Sequence, residues 1–206
     1  MKVVVARFVG AAACLAAAAF LVLLGVDARA WGTRVPADDL RFRHGPLTDH
    51  LWDARQLAPF GAARNLLGID DDLAYRRALR GFRVARPRDT LFEQGVTTRR
   101  IRAQVELEQY LAASNDDRRK SQAANLIGIL GFAAAAQDAG QRVTFLNDAI
   151  ASFRNAIALD SGNDDAYYNL EYALDQLKEA SDFQAGSGKR LGGTGGAGAR
   201  DTGHGY

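Results

Sequence analysis

Apolar and polar positions divide the chain into an uncharged run near the amino terminus, a body with helical periodicity and a glycine-rich end. Residues 8–26 carry no charge. As a helix they would extend roughly 28 Å, against about 30 Å for the hydrocarbon core of a membrane. This pattern predicts one transmembrane helix over 8–26, preceded by a short end at 1–7.

The body of the chain, residues 69–180, has apolar residues spaced three and four apart, which is the period of an amphipathic helix. No proline follows position 87, as long packed helices require. We therefore predict an all-α protein in which 69–180 forms one helical domain. Its helices are expected near 71–86, 97–114 and 119–138, followed by a helical hairpin over 149–177. The apolar set expected in the helix at 97–114 is Ile101, Val105, Leu107, Tyr110 and Leu111.

Residues 27–68 connect the apolar run to this domain. Three prolines are expected to divide them into short juxtamembrane helices: Pro36, Pro46 and Pro59. Apolar residues at helical spacing predict one such helix: Leu47, Leu51, Ala54 and Ala58. Trp31 and Trp52 fit two environments equally well, the membrane interface, where an amphipathic ring keeps one edge wet, and an ordinary core. The sequence leaves this choice open.

The flanks of the apolar run bear on its topology. Lys2 and Arg7 precede it, so we expect the short end in the cytoplasm and the bulk of the chain outside. A cleaved secretory signal is the alternative, because Ala28-Arg29-Ala30 forms a small-x-small cleavage site. The run is longer than the roughly 7–15 residues of a signal core, which favours a single-pass protein of the cell membrane. The only cysteine, Cys14, lies inside the run, so no disulfide framework is expected.

A helical hairpin gives the clearest pattern in the body. Ala149, Phe153 and Ala156 form a small–large–small stripe that lets a neighbouring helix approach closely. A second helix follows after a short polar turn, with apolar positions at the same kind of spacing: Tyr167, Leu170, Ala173 and Leu174. These residues resemble a tetratricopeptide repeat, although Ser161 and Glu171 replace the proline and glycine of that pattern. The resemblance implies a small α-solenoid.

Earlier positions repeat parts of this pattern. Ala78, Phe82 and Ala85 have the same spacing as the stripe in the hairpin. Asn125–Leu126 parallels Asn169–Leu170 at an offset of 44 residues. A standard repeat of this family has a period of about 34 residues, so the repeat expected here has longer helices.

The resemblance also implies a binding surface, because the first helix of each repeat pair lines a groove that holds a peptide or a partner helix. Carried over by position, the protein-binding residues are Asn125, Tyr168, Asn169 and Tyr172. A looser resemblance, through Ser121–Gly128 and Tyr168–Glu171, is to bacterial membrane-anchored repeat proteins that accompany von Willebrand A-domain proteins and MoxR-type ATPases. It implies an accessory or assembly role in a membrane complex, with a von Willebrand A-domain membrane protein as a partner.

Four arginines form a basic stripe on the helix near 71–86, opposite the face of Ala74, Ala78, Phe82 and Ala85: Arg76, Arg80, Arg83 and Arg86. This stripe supports an alternative function, that of an envelope structural protein docking on anionic lipid. The consecutive acids Asp70–Asp72 begin the same helix and point in different directions. We expect them to cap the helix rather than to bind a metal.

Candidate catalytic chemistry is sparse. The chain has three histidines, and its serines and acids form no recognisable nucleophile or acid–base spacing. We expect no enzyme activity, cofactor, metal or small-molecule substrate. Nucleic acid is also not an expected partner, because no aromatic residues are interleaved with the arginines.

The carboxyl-terminal residues and the overall charge add little. Residues 181–206 hold nine glycines and cannot bury enough apolar surface to offset the entropy of ordering, so a disordered tail is expected. The formal net charge is only +2, which by itself names no partner.

Overall fold

A computed structural model describes residues 2–86 and 95–191. In these ranges the protein is helical with no strand, which confirms the all-α class. The helices are α1 (Lys2–His44), α2 (Ala62–Leu67), α3 (Asp70–Ala85), α4 (Val96–Ala113), α5 (Asp117–Gln137), α6 (Arg142–Leu159) and α7 (Asp164–Leu191), with a short 3-10 helix at Pro59–Gly61. The chain forms two compact units, Met1–Ser114 and Asn115–Tyr206. This division falls inside the single domain predicted over 69–180, so α3 and α4 belong with α1.

Helix α1 is longer than predicted, since it runs for 43 residues and passes through Pro36. The expectation that Pro36 ends a helix was wrong. Pro36 is exposed, about 140° around the helix from the buried Trp31. The lost backbone hydrogen bond therefore lies on the outer face, while the packing of Trp31 and Phe42 stabilises the other face.

The segment 45–58 is irregular, so the short helix predicted from its apolar spacing was wrong. Leu51 and Ala54 are buried as the spacing required, but Leu47 is exposed. Both tryptophans belong to the core, which settles the choice left open by the sequence. They lie in one cluster of buried residues: Trp31, Phe42, Leu51, Trp52, Ala54, Ala63 and Leu73.

Helices α3 and α4 pack against each other and complete the first unit. The buried face of α3 includes Ala78, Phe82 and Ala85, as predicted. Helix α4 begins and ends within one residue of its predicted bounds, and Leu107 and Tyr110 of its expected apolar set are buried, but the rest of its buried face differs from the prediction. Its buried residues are Val96, Arg100, Ala103, Leu107 and Tyr110, whereas Ile101 and Val105 are exposed.

The second unit is built from α5, α6 and α7. Its predicted small–large–small stripe, Ala149, Phe153 and Ala156, is buried. Gly128 of α5 lies directly under the Phe153 ring, where a Cβ atom would overlap it. The absence of a side chain at Gly128 thus allows α5 and α6 to approach closely.

Helix α7 extends to Leu191, past the predicted start of the tail at 181. Residues 181–191 therefore continue the helix. Residues 192–206, which contain most of the predicted glycine-rich tail, lie outside the described residues. The prediction of a disordered tail is untested over that range.

Candidate functional site

The amino-terminal part of α1 contains a stretch that is long enough and apolar enough to cross a membrane. The most apolar part of this stretch is not buried in the protein. Side chains such as Phe8, Leu15 and Leu21 are largely exposed. A stretch with this length and composition is typical of a membrane-crossing helix, and a secretory signal near the amino terminus has the same properties. The stretch ends at Asp27, which is buried.

Asp27 fixes the end of the irregular segment. Its carboxylate accepts hydrogen bonds from the backbone N–H groups of Leu57, at 2.9 Å, and Ala58, at 2.7 Å. In this irregular stretch these donors are satisfied by a side chain instead of a helix. The contact brings residues 57–58 beside the first turn of α1 beyond the apolar stretch.

Asp38 and Asp39 fix Trp52 in the same way, three turns further along α1. The backbone N–H of Trp52 donates to Asp38 at 2.7 Å, and its indole N–H donates to Asp39 at 2.8 Å. Asp38 is completely buried and also accepts from Arg34 and Arg41, each at 2.9 Å. Burial acts to raise the pKa of Asp38, but the bonds from Trp52 and Arg34 outweigh it, so the pKa lies below the usual value.

The basic stripe is largely engaged inside the first unit. Arg76 donates to both Asp39 carboxylate oxygens, at 2.8 and 3.0 Å, and pairs with Asp72. This bidentate bond is the main cause of the lowered pKa of Asp39 and the raised pKa of Arg76.

Two more arginines of the stripe join α3 to neighbouring segments. Arg80 donates to the carbonyls of Pro46 and Thr48, each at 3.0 Å. The Arg83 guanidinium lies 5.1 Å from the centre of the Phe42 ring, within cation–π range. Arg86 is exposed at the end of α3. The stripe is thus mainly an internal connection.

The acids predicted to cap α3 lie in its first turn, but the capping prediction was wrong, because the N-cap residue is Ile69, with no side-chain cap hydrogen bond. Each acid has another partner. Asp70 pairs with Arg64, Asp71 accepts from the Tyr110 hydroxyl at 3.1 Å, and Asp72 pairs with Arg76. Among the described residues, no group of three or more His, Cys, Asp or Glu side chains is placed to hold a metal ion.

The predicted protein-binding residues lie on α5 and α7, and the structure brings the two asparagines together. The Asn169 amide donates to the Asn125 side-chain oxygen at 2.9 Å, and Asn125 is only 7% exposed. Asn125 therefore lies inside the unit rather than in an open groove. The side chain of Asn163, the residue before α7, also donates to the Ser121 hydroxyl of α5. Both bonds join positions that advance in the same chain direction, so α5 and α7 run parallel.

The tyrosines of this set are at the surface. Tyr168 is 70% exposed and Tyr172 is 50% exposed, one turn apart on α7. The Tyr172 ring lies 5.3 Å from the Phe132 ring of α5, centre to centre. These aromatic side chains form an exposed surface on a helix whose opposite side, at Ala166 and Ala173, is fully buried.

A cleft of about 580 Å³ in the first unit was not foreseen from the sequence. Arginines from α3 and α4 line it: Arg77, Arg80, Arg99 and Arg102. Carboxylates of Asp49, Asp53 and Glu106 line it as well. Because both signs of charge are present, the lining defines no class of ligand.

Sequence reasoning also missed the three aspartates of α1. Asp27 and Asp38 are 11 residues apart, close to three helical turns, and Trp31 lies four residues after Asp27 on the same face. That spacing could have predicted a single buried face of α1 that carries both acids and apolar residues. It was hidden by the expectation that Pro36 interrupts the helix.

Comparison with family models, curated proteins and solved structures finds no match to this chain.

Proposed function

We propose that this protein is a single-pass membrane protein whose second helical unit binds another protein. The observation that carries the proposal is the pair of exposed tyrosines, Tyr168 and Tyr172, on a helix held rigidly by its buried face. Tyrosine rings offer a large contact area at small cost in conformational entropy. The proposed role is recognition without catalysis or a cofactor.

Retention of the apolar stretch is supported by the contacts of α1. Cleavage after Ala30 would remove Asp27 and Leu24, which pack against or bond to the rest of the first unit. The backbone N–H groups of Leu57 and Ala58 would then lose their acceptor. An uncleaved anchor keeps these contacts.

Features of the sequence support the proposed orientation and role. Lys2 and Arg7 favour a cytoplasmic amino-terminal end, which places the two units outside the cytoplasm. The tetratricopeptide-like pattern of α5–α7 supports a scaffold, and the looser resemblance supports an accessory or assembly role beside a von Willebrand A-domain membrane protein.

The alternative, docking on anionic lipid through the basic stripe, has less support. Arg76, Arg80 and Arg83 already bond to or pack against other parts of the first unit. Detaching them to reach lipid would break those contacts.

The proposal is tested by replacing an exposed tyrosine and measuring recovery of partners. Tyr168→Ala in the full-length protein, purified from membranes of its own cell type, should abolish enrichment of one partner in quantitative mass spectrometry. Phe183→Ala is the matched control, because Phe183 is a 78% exposed aromatic residue on the same helix. Equal enrichment with both variants would place the interface elsewhere.

A further inference from the structure

The first unit exposes four large apolar side chains within the segment 57–67: Leu57, Phe60, Leu66 and Leu67. Phe60 is 96% exposed, more than any other large apolar residue described. Single exposed apolar residues are ordinary, but a concentration of this kind marks a contact surface. We call residues 57–67 the apolar segment.

The backbone of the apolar segment presents Phe60 outward. Phe60 has φ of 59°, in the left-handed region that bulky residues rarely adopt, and Gly61 follows at 65°. Pro59 precedes them and fixes the entry to this turn. The chain thus maintains a strained conformation that leaves an aromatic ring in solvent, and such strain is typical of functional positions.

The location of the apolar segment identifies its partner. Asp27, the residue after the apolar run 8–26, accepts the N–H groups of Leu57 and Ala58. Leu24, inside that run, packs against the cluster that contains Ala63. The segment therefore lies at the level where the membrane-crossing part of α1 ends, which is the interfacial layer of the bilayer.

We propose that the apolar segment, with Phe60 at its tip, inserts into the interfacial layer of a phospholipid bilayer and makes a second membrane contact beside α1. The inference rests on the membrane anchoring proposed above. Partial insertion of Phe and Leu side chains into the boundary between headgroups and acyl chains is favourable. With α1 and the segment joined at Asp27, the first unit would be held at a fixed tilt to the membrane instead of swinging on a single helix.

The test measures lipid contact at defined positions in the full-length protein. In a Cys14→Ala background, Phe60→Cys, Leu47→Cys and Leu15→Cys are each labelled with an environment-sensitive fluorophore and reconstituted in phosphatidylcholine vesicles. Leu47 is the matched control, because it is 64% exposed in the same unit. It comes three residues after His44, the end of α1, which lies roughly 26 Å along the helix from Asp27 and therefore away from the membrane. Leu15 reports on the span itself.

Nitroxide-labelled lipids should quench the fluorophores at positions 60 and 15 and leave position 47 bright, while aqueous iodide should quench position 47 only. Leu66→Cys provides a second reporter and should behave as position 60 does. Iodide quenching at 60 and 66 equal to that at 47, with position 15 still quenched by lipid, would overturn the inference and retain the anchor. Protection of 60 and 66 from both quenchers would also overturn it, in favour of a protein or a second copy covering the segment. Lack of lipid quenching at 15 would instead overturn the anchor.

Discussion

The two units of this chain are both helical, but different interactions hold them together. In the second unit, large side chains of one helix pack against small residues of the next, as Phe153 packs against Gly128. In the first unit, carboxylates on α1 bind backbone and side-chain donors of an irregular segment, as at Asp27, Asp38 and Asp39. The backbone N–H groups of an irregular segment lack the carbonyl acceptors that a helix would provide. The comparison shows that such a segment can be ordered beside a long helix when buried carboxylates of the helix accept these hydrogen bonds instead.

This difference has an electrostatic consequence. Burying a carboxylate is costly unless its hydrogen-bonding capacity is filled, and Asp38 fills it with one backbone and two guanidinium donors. Apolar contacts such as those of Phe153 carry no such dependence on protonation. We therefore expect the two units to respond differently to core truncation and to acid.

The largest effect is expected from Phe153→Ala in the second unit. Removing this buried ring should cost about 3–5 kcal/mol, because the transfer free energy is lost and a cavity remains between α5 and α6. Hydrogen exchange of the full-length protein in phospholipid nanodiscs should show faster exchange in α5 and α6. Leu174→Ala, at a 40% exposed position of α7, is the control and should have little effect. Unchanged protection in Phe153→Ala would contradict the buried stripe.

A somewhat smaller effect is expected from Asp38→Asn in the first unit. The amide keeps the shape but loses the charge that Arg34 and Arg41 bind, which should cost about 2–4 kcal/mol at neutral pH. Protection of the Trp52 amide against hydrogen exchange should fall. Asp53→Asn in the same segment is the control, because Asp53 is exposed. Equal losses in both variants would show that burial of Asp38 is not decisive.

The same variant tests the predicted response to acid. The pKa values of Asp38 and Asp39 are lowered in the folded protein, so the unfolded chain binds more protons in acid. Their contribution to stability is fully present above the ordinary value of 3.8 and is lost as the pH falls from there through the lowered folded values. The first unit should open in acid by hydrogen exchange, and Asp38→Asn should reduce that pH dependence.

The sequence predicted the second unit better than the first for a physical reason. The stripe at Phe153 repeats every three or four residues, so a local pattern contains the information needed to find its buried face. The irregular segment has a similar apolar spacing, but its conformation depends on Asp27 and Asp38, which bond to donors 30 and 14 residues away. No local period reports such distant bonds.

The candidate site was predicted in part for a related reason. Carrying positions over from a repeat pattern placed Tyr168 and Tyr172 on α7, where both are exposed. The same procedure placed Asn125 at an open groove, whereas it is buried against Asn169. In α4, Leu107 and Tyr110 of the expected apolar set are buried, but Ile101 and Val105 are exposed and Ala103 lies on the buried face, since apolar character alone does not distinguish the two faces.

The smallest predicted effect concerns the close approach of α5 and α6. In Gly128→Ala, the new methyl group would overlap the Phe153 ring and force one of the helices to shift, at a cost of about 1–3 kcal/mol. Chemical denaturation followed by circular dichroism should show a lower midpoint. The double variant Gly128→Ala/Phe153→Leu should lose less than the sum of the two single variants, because both residues act on one contact.

Gly131→Ala provides the matched control on the same helix. Its added Cβ would lie 3.5 Å from the Ala149 Cβ, an ordinary contact, so the packing can accept it. Alanine also favours the helix over glycine by about 1 kcal/mol, so this variant should be neutral or more stable. If Gly128→Ala were as stable as Gly131→Ala, the Phe153 ring would not be seated on Gly128. Small–large packing would then not be the interaction that distinguishes the second unit from the first.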